Sequence, residues 1–253
     1  MIDAISISSN GLRANQAWID SISDNIANIQ TPNFKRTVVQ FEDLVAVSSD
    51  DTVSSMNTQS GQGASALANS IDASMGQIKR TGDSLHIAIN GGGFIEVIDA
   101  NGESKYTRGG VLTVNADGQL LASGMEIASQ VFLPPDASNI EITGNGVVRV
   151  GIGQDAGIVD VGQLELVQFS NPNMLTREGG GLFAVNESSG EPIFSVAGEQ
   201  SVGQIMQGYL EMSNVELVDE MTSLVMAQRA YQLNARVIQT ADQILETINN
   251  LRR

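Results

Sequence analysis

Residues 213–251 have the sequence SNVELVDEMTSLVMAQRAYQLNARVIQTADQILETINNL, and this stretch decides the architecture. Neither glycine nor proline occurs between Tyr209 and Arg253. Ser213 and Glu216 have the spacing of a capping box, which predicts the start of a helix. Large apolar residues then recur every seven positions, as in helices that pack against other helices; they are Leu217, Leu224, Tyr231, Ile238 and Leu245. The pattern predicts one helix of about 39 residues, roughly 58 Å long.

A second apolar stripe lies at the opposite end of the chain, within residues 2–30. Its members lie three or seven positions apart and are Ile5, Leu12, Ile19, Ile22, Ile26 and Ile29. Gly11 weakens this helix by about 1 kcal/mol relative to alanine. Pro32 disfavours helix at the residue before it, and Asn33 tolerates positive φ, so we expect the helix to end there. Because a stripe as long as the C-terminal one needs a partner, we expect the two terminal helices to pair as a coiled coil.

The middle of the chain has the pattern of an antiparallel β-domain. Asn101-Gly102, Asp117-Gly118 and Asn145-Gly146 are flanked by apolar or β-branched residues, which predicts three hairpins with type I′ turns. Residues 48–77 are rich in serine, asparagine, glutamine and glycine and contain no aromatic residue, so we expect this segment to be extended or flexible. Strands are expected at residues 87–89, 94–98, 111–114, 147–150 and 164–167.

These zones predict an α+β fold in which long N- and C-terminal helices, paired as a coiled coil, bracket a central antiparallel β-rich domain. The terminal-helix assembly domain is expected to comprise residues 1–36 and 209–253. Residues 37–84 are expected to form an extended linker segment, and residues 85–208 the β-rich outer domain. The alternative is an ordinary α+β domain whose last helix packs on its own sheet.

The composition disfavours several classes of partner and site. The chain has 13 Lys and Arg residues against 29 Asp and Glu residues, a net charge of −16, which repels phosphate and anionic membrane surfaces. We therefore expect no nucleic-acid partner and no membrane insertion, and no apolar run reaches transmembrane length. The sequence contains no cysteine, which excludes disulfides and thiolate chemistry. The N-terminus lacks the basic and apolar regions of a cleaved signal peptide, so export would need another route.

No catalytic or cofactor-binding pattern is found in the sequence. His86 is the only histidine, and one histidine without cysteine cannot form a typical zinc site. The G-x-S-x-G motif of a nucleophile elbow is absent. Gly91-Gly92-Gly93 follows a predicted strand but opens no predicted helix, which favours a tight strand connection over a phosphate loop. We therefore expect no catalytic residue, no metal and no cofactor, and the protein is predicted not to be an enzyme.

Five separate stretches, in the right order, carry a family resemblance. Residues 24–36, DNIANIQTPNFKR, are similar to a signature that ends in Asn-Thr-Pro-Gly-Phe-Lys. Residues 87–94 and 106–110 resemble motifs of a β-domain, and residues 207–215 with 228–231 resemble a C-terminal signature. The family is that of the flagellar basal-body rod and hook proteins, and the resemblance covers nearly the whole chain. The residues at the positions of the two terminal signatures are Asn28, Thr31, Pro32, Asn33, Phe34, Lys35, Gly208, Leu210, Glu211, Ser213, Asn214, Val215, Gln228 and Arg229.

Two positions depart from the family pattern. Asn33 stands where the family usually has glycine. Asparagine is the next most favourable residue for a left-handed conformation, so we expect the turn to persist at some energetic cost. His86 stands where an aspartate is common, so any polar contact that the aspartate makes in the family is not expected here.

The resemblance implies a structural subunit of the bacterial flagellar basal-body rod. Such a subunit is exported unfolded through the flagellar type III channel, without a cleaved signal peptide, and polymerises into a helical tube that transmits torque from motor to hook. The implied partners are copies of itself, neighbouring rod and hook proteins, and the surrounding ring proteins.

The position within that family is less sharply defined by the sequence. The C-terminal signature and residues 186–192 are most similar to the distal rod subunit. The short stretch between Phe41 and His86 keeps the proximal rod subunit open as an alternative. From the residues alone, an alternative of another class is a non-catalytic cell-wall or carbohydrate-binding module with helical oligomerisation ends.

Overall fold

A computed structural model describes residues 2–47, 59–152, 157–199 and 202–251 of the 253-residue chain. The chain divides into two compact units. The first unit comprises residues 1–27, 37–70 and 216–253, and the second comprises residues 28–36 and 71–215.

The first unit contains both long helices. Helix α1 spans Ile2–Ala27 and helix α2 spans Leu217–Leu251. At 1.5 Å per residue these helices are about 39 Å and 52 Å long, and they contact each other. The paired strands β1 (Thr37–Val47) and β2 (Gln59–Ile71) lie almost wholly in the same unit. Trp18 of α1 packs edge-to-face on Phe41 of β1, with the ring centroids 5.8 Å apart.

The described residues of the second unit form short strands and a 3-10 helix at Pro172–Met174. In chain order the strands are β3 (Ile78–Arg80), β4 (His86–Asn90), β5 (Ile95–Ile98), β6 (Ser104–Thr107), β7 (Gly109–Val114), β8 (Leu120–Ala122), β9 (Met125–Ile127), β10 (Ala137–Ile142), β11 (Val147–Ile152), β12 (Ile158–Gln163), β13 (Glu165–Gln168), β14 (Thr176–Gly179), β15 (Leu182–Ala184), β16 (Ile193–Val196), β17 (Gln204–Gln207) and β18 (Tyr209–Glu211).

Antiparallel pairing organises these strands into one large and several small sheets. The large sheet has the order β14-β15-β6-β5-β9-β8-β7-β4-β17, and β10-β11-β12 form a second sheet. Strand β13 pairs with β16, and β18 pairs with β3. The main apolar core includes Ile87, Ile95, Leu112, Val148 and Leu166, and an aromatic cluster of Phe94, Tyr106, Phe169 and Phe183 packs around Val167.

The three predicted hairpins are present, but their predicted turn type is wrong. The turns at Asn101-Gly102, Asp117-Gly118 and Asn145-Gly146 join β5–β6, β7–β8 and β10–β11. Only the glycines have positive φ, between 81° and 83°, whereas a type I′ turn needs positive φ at both central residues. Each glycine amide instead donates to the carbonyl three residues earlier, at 2.8–3.1 Å. Such hydrogen bonding fits a type I turn followed by a left-handed glycine, which longer hairpin loops favour.

The start of α2 also differs from the prediction. The helix begins at Leu217 and has 35 residues. The side-chain oxygen of Ser213 accepts a hydrogen bond from the amide of Val215 at 3.3 Å, whereas in a capping box it would accept one from the amide of Glu216. Strand β18 ends only at Glu211, and both Ser213 and Val215 are buried. The segment between strand and helix is therefore fixed by packing, and the predicted box is wrong.

The α+β prediction, with a helix near each end and a β-rich middle, is confirmed. The five predicted strand regions overlap β4, β5, β7, β11 and β13. Of the segment predicted to be extended or flexible, residues 48–58 lie outside the described residues, and residues 59–71 form β2. Within the described ranges, no helix is both long and apolar enough to cross a membrane.

Candidate assembly site

Three of the family-like stretches meet at one buried carboxylate. Glu211 of β18 lies between Lys35 and Arg108, with Lys35 Nζ 2.5 Å from Glu211 Oε1 and Arg108 Nε 2.8 Å from Glu211 Oε2. All three residues are at most 2 % exposed. The amide of Gly76 also donates to Glu211 Oε1, at 2.9 Å. Lys35, Arg108 and Glu211 are called the junction cluster below.

Arg108 connects the junction cluster to the glycine loop between β4 and β5. Its guanidinium donates to the carbonyls of Gly93 at 2.9 Å and Gly91 at 2.7 Å, and it approaches the carbonyl of Ile89 at 3.3 Å. A guanidinium carries five N–H donors in a fixed fork, which suits one carboxylate and several carbonyls at once. The predicted tight strand connection is therefore held from inside by one arginine.

Asn33 has the left-handed conformation that the sequence predicts, with φ of 60°. Its backbone amide donates to the carbonyl of Glu211 at 2.9 Å, and its side-chain Nδ2 donates to the carbonyl of Gly109 at 2.7 Å. The side chain is buried. A Cβ on Gly181 would lie 3.1 Å from Asn33 Cβ, and a Cβ on Gly110 would lie 2.8 Å from Asn33 Nδ2. Both glycines therefore make room for this asparagine.

Asn214 joins three segments next to the junction cluster. Its Oδ1 accepts a hydrogen bond from the amide of Arg36 at 2.7 Å. Its Nδ2 donates to the carbonyl of Asp72 at 2.9 Å and to Ser74 Oγ at 3.0 Å. The carbonyl of Ser74 also accepts a hydrogen bond from Lys35 Nζ at 2.5 Å. The chain around residues 35–36, 72–74 and 214 is thus held together by side-chain amide and ammonium groups.

The charge of the junction cluster is unbalanced, because two cations surround one carboxylate. Burial alone would raise the pKa of Glu211, but Arg108 and Lys35 outweigh it and hold that pKa below its ordinary value of 4.5. Burial lowers the pKa of Lys35, and the cation of Arg108 adds to this against the attraction of Glu211. The carboxylate of Glu211 is therefore ionised at neutral pH. Burial and the neighbouring Arg108 disfavour the charged form of Lys35.

The other residues of the family-like stretches lie in varied settings. Phe34 is buried, and the guanidinium of Arg177 lies over its ring at 4.4 Å. Thr31 Oγ1 donates to Asn28 Oδ1 at 3.1 Å, and Gly208, with φ of 82°, joins β17 to β18. Leu210, Ser213 and Val215 are buried, whereas Pro32, Gln228 and Arg229 are exposed.

Helices α1 and α2 run antiparallel within the first unit. Asn25 Nδ2 donates to Glu220 Oε1 at 3.4 Å. Farther along, Gly11 lies against Asn234, since a Cβ on Gly11 would lie 2.7 Å from Asn234 Nδ2. From the first contact to the second, the position on α1 moves toward the N-terminus, from Asn25 to Gly11. The position on α2 moves by the same number of residues toward the C-terminus, from Glu220 to Asn234. They therefore define one continuous antiparallel register.

The face of α2 that α1 covers is made of small and polar residues. Glu220, Ala227, Asn234 and Ala241 follow one another every seven positions; Asn234 is half-buried and the other three are buried. Asn25, on the opposing surface of α1, is 1 % exposed and also accepts a hydrogen bond from the amide of Thr37 at 2.8 Å. Small side chains allow two helices to approach closely, and the polar contact of Asn25 with Glu220 helps to fix their register.

The predicted seam residues are distributed unevenly between the two helices. On the N-terminal side Ile22 is buried, and Ile5, Leu12, Ile19, Ile26 and Ile29 are half-buried, with Ile29 lying just beyond α1. On α2, Leu224 and Ile238 are half-buried, and Leu217, Tyr231 and Leu245 are 38–46 % exposed. The contact with α1 is therefore centred on the column of Glu220 and Ala227, beside the predicted apolar column.

Most large apolar side chains of α2 point away from α1. The most exposed are Val218 at 74 % and Leu233 at 62 %. We define the outer face of α2 as its exposed large apolar residues outside the column that faces α1: Leu217, Val218, Met221, Val225, Met226, Tyr231, Leu233, Val237, Ile244 and Leu245. Apolar surface of this extent on one helix is typical of a protein–protein contact.

Several residues of these sites were not singled out from the sequence. Arg108 lies inside a family-like stretch, but no local signal separates a buried arginine from a solvated one. Asn25 likewise gives no local signal. The column from Glu220 to Ala241 does repeat every seven residues, so a search for small and polar periodicity would have found it.

The chemistry of these groups is structural. Within the described ranges, no group of three or more His, Asp or Glu residues is placed to hold a metal ion. Both oxygens of Glu211 are occupied by cations and an amide. The junction cluster can therefore fasten strands together, while the outer face of α2 can bind another protein.

Comparison with family models gives three matches along the chain. The model described as "Flagella basal body rod protein" matches residues 5–35. The "Flagellar hook protein FlgE/F/G D1 domain" matches residues 88–150, and the "Flagellar basal body rod FlgEFG protein C-terminal" matches residues 206–251. These ranges contain Lys35, Arg108 and Glu211, one in each.

Full-length relatives agree with these matches. The chain is 35% identical over 260 residues to the flagellar basal-body rod protein FlgG of Buchnera aphidicola subsp. Baizongia pistaciae, covering 99% of this chain and 100% of the relative. It is 31% identical to FlgG of Borreliella burgdorferi over the whole of both chains, and 34% identical to FlgG of Agrobacterium fabrum over 97% of this chain and 98% of that one. The chain therefore belongs to the family of flagellar basal-body rod proteins.

Proposed function

We propose that this protein is the structural subunit of the distal flagellar rod. Copies polymerise into a helical tube that transmits torque from the motor to the hook. The observation that carries the proposal is the outer face of α2, which leaves large apolar residues exposed along most of a helix about 52 Å long. The full-length relatives named FlgG favour this subunit over the other rod proteins of the family.

The outer face of α2 supplies the driving force for polymerisation. Burying one leucine-sized side chain contributes about 1.5–3 kcal/mol, and the outer face offers several in a row. The antiparallel contact with α1 leaves these side chains available, because it uses the small column of α2 instead. In the assembled tube, the terminal helices pair with each other and with those of neighbouring copies as a coiled-coil bundle.

The junction cluster supplies the stiffness that torque transmission needs. Glu211 of β18 binds Lys35 and Arg108 at once. A residue near the start of the second unit, one between β6 and β7 and one in its last strand are therefore fixed to a common point. Breaking such a buried network leaves an uncompensated charge, which costs about 3–5 kcal/mol. The second unit therefore resists shear between its ends.

Location and partners follow from the same proposal. The subunit occupies the periplasm-spanning rod of the basal body and reaches it by flagellar type III export, without a cleaved signal peptide. It contacts copies of itself, neighbouring rod and hook proteins and the surrounding ring proteins. It carries out no catalysis and binds no cofactor.

A matched pair of variants on α2 tests the proposal. Leu233→Asp places a charge on the outer face, and Gln232→Asp places the same charge on the adjacent, exposed polar position. We expect both proteins to be soluble and to melt like the wild type, because neither position is buried. Cells with Leu233→Asp should lack the protein in isolated basal bodies and should not swim, whereas Gln232→Asp cells should swim. Normal swimming of the Leu233→Asp cells would refute the proposed role of the outer face.

A further inference from the structure

Four asparagines in the chain are followed directly by glycine, and this pairing is chemically labile. The pairs are Asn10-Gly11, Asn90-Gly91, Asn101-Gly102 and Asn145-Gly146. Asparagine is a thermolabile residue, because the backbone nitrogen of the next residue can attack its side-chain amide carbon. Glycine favours the attack, since it has no Cβ to obstruct ring closure. All four pairs have the same local chemistry, so the fold decides which of them reacts.

Two of the pairs are held rigidly by their surroundings. The attack requires the asparagine backbone to rotate until the next nitrogen faces its own side chain. Asn10 and Gly11 lie inside α1, where the regular backbone hydrogen bonds of a helix oppose that rotation. Gly146 is buried, and a Cβ on it would lie 2.3 Å from the carbonyl oxygen of Leu164. The backbone at Asn145 and Gly146 therefore has little room to move.

The pair Asn90-Gly91 is exposed, but its backbone is fixed on both sides. Asn90 is the last residue of β4 and pairs with Gln204 of β17. The carbonyl of Gly91 accepts a hydrogen bond from Arg108 at 2.7 Å. A Cβ on Gly91 would lie 2.7 Å from Gly203 Cα, so another segment packs directly against the pair. Reaction at Asn90 would have to break these contacts.

The pair Asn101-Gly102 lies in the turn between β5 and β6, where the fold restrains it least. Both residues are exposed, and a Cβ on Gly102 would meet no atom of the described residues within 4 Å. The amide of Gly102 donates to the carbonyl of Asp99 at 2.8 Å. Asn101 Nδ2 lies 3.5 Å from Asp99 Oδ2. Opening the hydrogen bond from Gly102 frees its nitrogen for the attack.

We infer that Asn101 is a self-modification site of this chain, independent of the proposed rod function. The nitrogen of Gly102 bonds to Asn101 Cγ while the bond from Cγ to Nδ2 breaks. The proton of the attacking nitrogen leaves with Nδ2 as ammonia, and a cyclic succinimide remains. Water then adds to either carbonyl carbon of the ring and opens it, which gives aspartate or isoaspartate. Water is the co-reactant, and no group is oxidised or reduced.

The modification changes both the charge and the backbone of the hairpin. A carboxylate at position 101 adds a negative charge between Asp99 and Glu103 in the sequence. Isoaspartate also lengthens the main chain within the turn, so the hydrogen bond from Gly102 to Asp99 is lost. We therefore expect the modified hairpin to open more readily than the original, and each copy to acquire this change with age.

Mass spectrometry of the purified full chain tests this site. The chain would be incubated at neutral and mildly alkaline pH and then cleaved after glutamate, which separates Asn101 from Asn90 at Glu96. We expect Asn101 to be converted several-fold faster than the asparagines of the other pairs. Both products should form, and an isoaspartyl methyltransferase should label the isoaspartate. Equal rates at all pairs in the folded chain, faster conversion at another pair, or aspartate as the sole product would overturn the inference.

The same chain in guanidinium chloride provides the matched control. Unfolding removes the structural differences between the pairs, so their conversion rates should become similar. An unchanged lead of Asn101 would show that local sequence selects this residue, and it would overturn selection by the fold.

Asn101→Gln separates the modification from other effects of ageing. Glutamine has a longer side chain that closes a ring more slowly, and the position is exposed, so the variant should fold normally and resist conversion. Hydrogen exchange of the amides of β5 and β6 should become faster in the aged wild type but not in the equally aged variant. Equal exchange in the two aged proteins would contradict the expected opening of the hairpin.

Discussion

Glu211 faces two buried cations that come from positions far away in the sequence. Its partners Lys35 and Arg108 cannot both be neutralised by one carboxylate, so the junction cluster carries an excess positive charge. Each group is nevertheless hydrogen-bonded, since Lys35 also reaches the carbonyl of Ser74 and Arg108 reaches those of Gly91 and Gly93. The cluster is stable because each of its three charged groups has hydrogen-bond partners. It is sensitive to any change that removes the carboxylate of Glu211.

Replacing Glu211 by glutamine removes that carboxylate without changing its size. At neutral pH we expect Glu211→Gln to lower the free energy of unfolding by about 3–5 kcal/mol, because two buried cations lose their counter-charge. The folded-state pKa of Glu211 lies below its ordinary value of 4.5. Its contribution is therefore complete above pH 4.5 and is lost as the pH falls through the folded-state pKa.

The pH dependence distinguishes this charge effect from a packing defect. Denaturant unfolding from neutral to acid pH should show the deficit of Glu211→Gln narrowing below pH 4.5, where the carboxylate of the unfolded wild type takes up a proton, and closing once the pH falls below the lower folded-state pKa. The matched control is Glu178→Gln, since Glu178 pairs with Lys105 at a more exposed site and should have little effect. A deficit that is constant with pH would contradict the ionic role of Glu211.

Asn33 allows a test of backbone strain at one residue. Asn33→Gly relieves the left-handed strain but loses the hydrogen bond to Gly109, so we expect its melting temperature to stay near that of the wild type. Asn33→Val combines a β-branched side chain with positive φ and should cost about 1–3 kcal/mol. Thermal melting of both variants checks this, and equal melting temperatures would show that no left-handed residue is needed there.

The residue scale shows which features local sequence can predict. The conformation of Asn33 was predictable, because it depends on Pro32 and on the preference of asparagine for positive φ. The junction cluster was not, because the meeting of Arg108 with Glu211 depends on how β6, β7 and β18 are arranged in space. A buried ion pair leaves no periodic signal in the sequence.

At the scale of elements, α2 has two faces with different compositions. One face presents Glu220, Ala227, Asn234 and Ala241 to α1, and the other presents large apolar residues outward. The heptad search found the large residues because they dominate a hydrophobic pattern. It missed the column beside them, since alanine, asparagine and glutamate do not stand out by hydrophobicity.

Enlarging the small column tests the register of the two helices. Ala227 is completely buried, so Ala227→Leu forces extra volume between α1 and α2 and should cost about 1–3 kcal/mol. Gln228→Leu, at the next, exposed position, is the matched control and should be close to neutral. Hydrogen exchange of α1 and α2 amides provides the measurement, with faster exchange expected only for Ala227→Leu. Unchanged exchange in that variant would contradict the packing of α1 on this column.

The hairpins show a second limit of prediction from local sequence, also at the scale of elements. Their positions were predictable from Asn-Gly and Asp-Gly, but their turn type was not, because it depends on the loop length. In all three hairpins the loop is long enough for a type I turn before the glycine. Apart from β5 and β13, the strands of three or four residues were missed because they are too short to show alternation.

At the scale of the whole molecule, the family was predictable because its signatures are distributed along the chain. Residues 24–36, 87–110 and 207–215 lie within or across the three regions that match family models. The division into units was less accessible to sequence, because Lys35 and Glu211 belong to the β-rich unit although in the sequence they lie close to the end of α1 and the start of α2. Tertiary contacts, which composition does not encode, set that division.

Deletion of the gene, followed by imaging of isolated basal bodies, tests the central claim most directly. Electron microscopy would compare the deletion strain with the same strain carrying either the wild-type gene or the Leu233→Asp variant. We predict rods that stop short of the hook in the deletion and Leu233→Asp strains, and rods of full length when the wild-type gene is restored. Full-length rods with attached hooks in the deletion strain would contradict the assignment of this protein as the distal rod subunit.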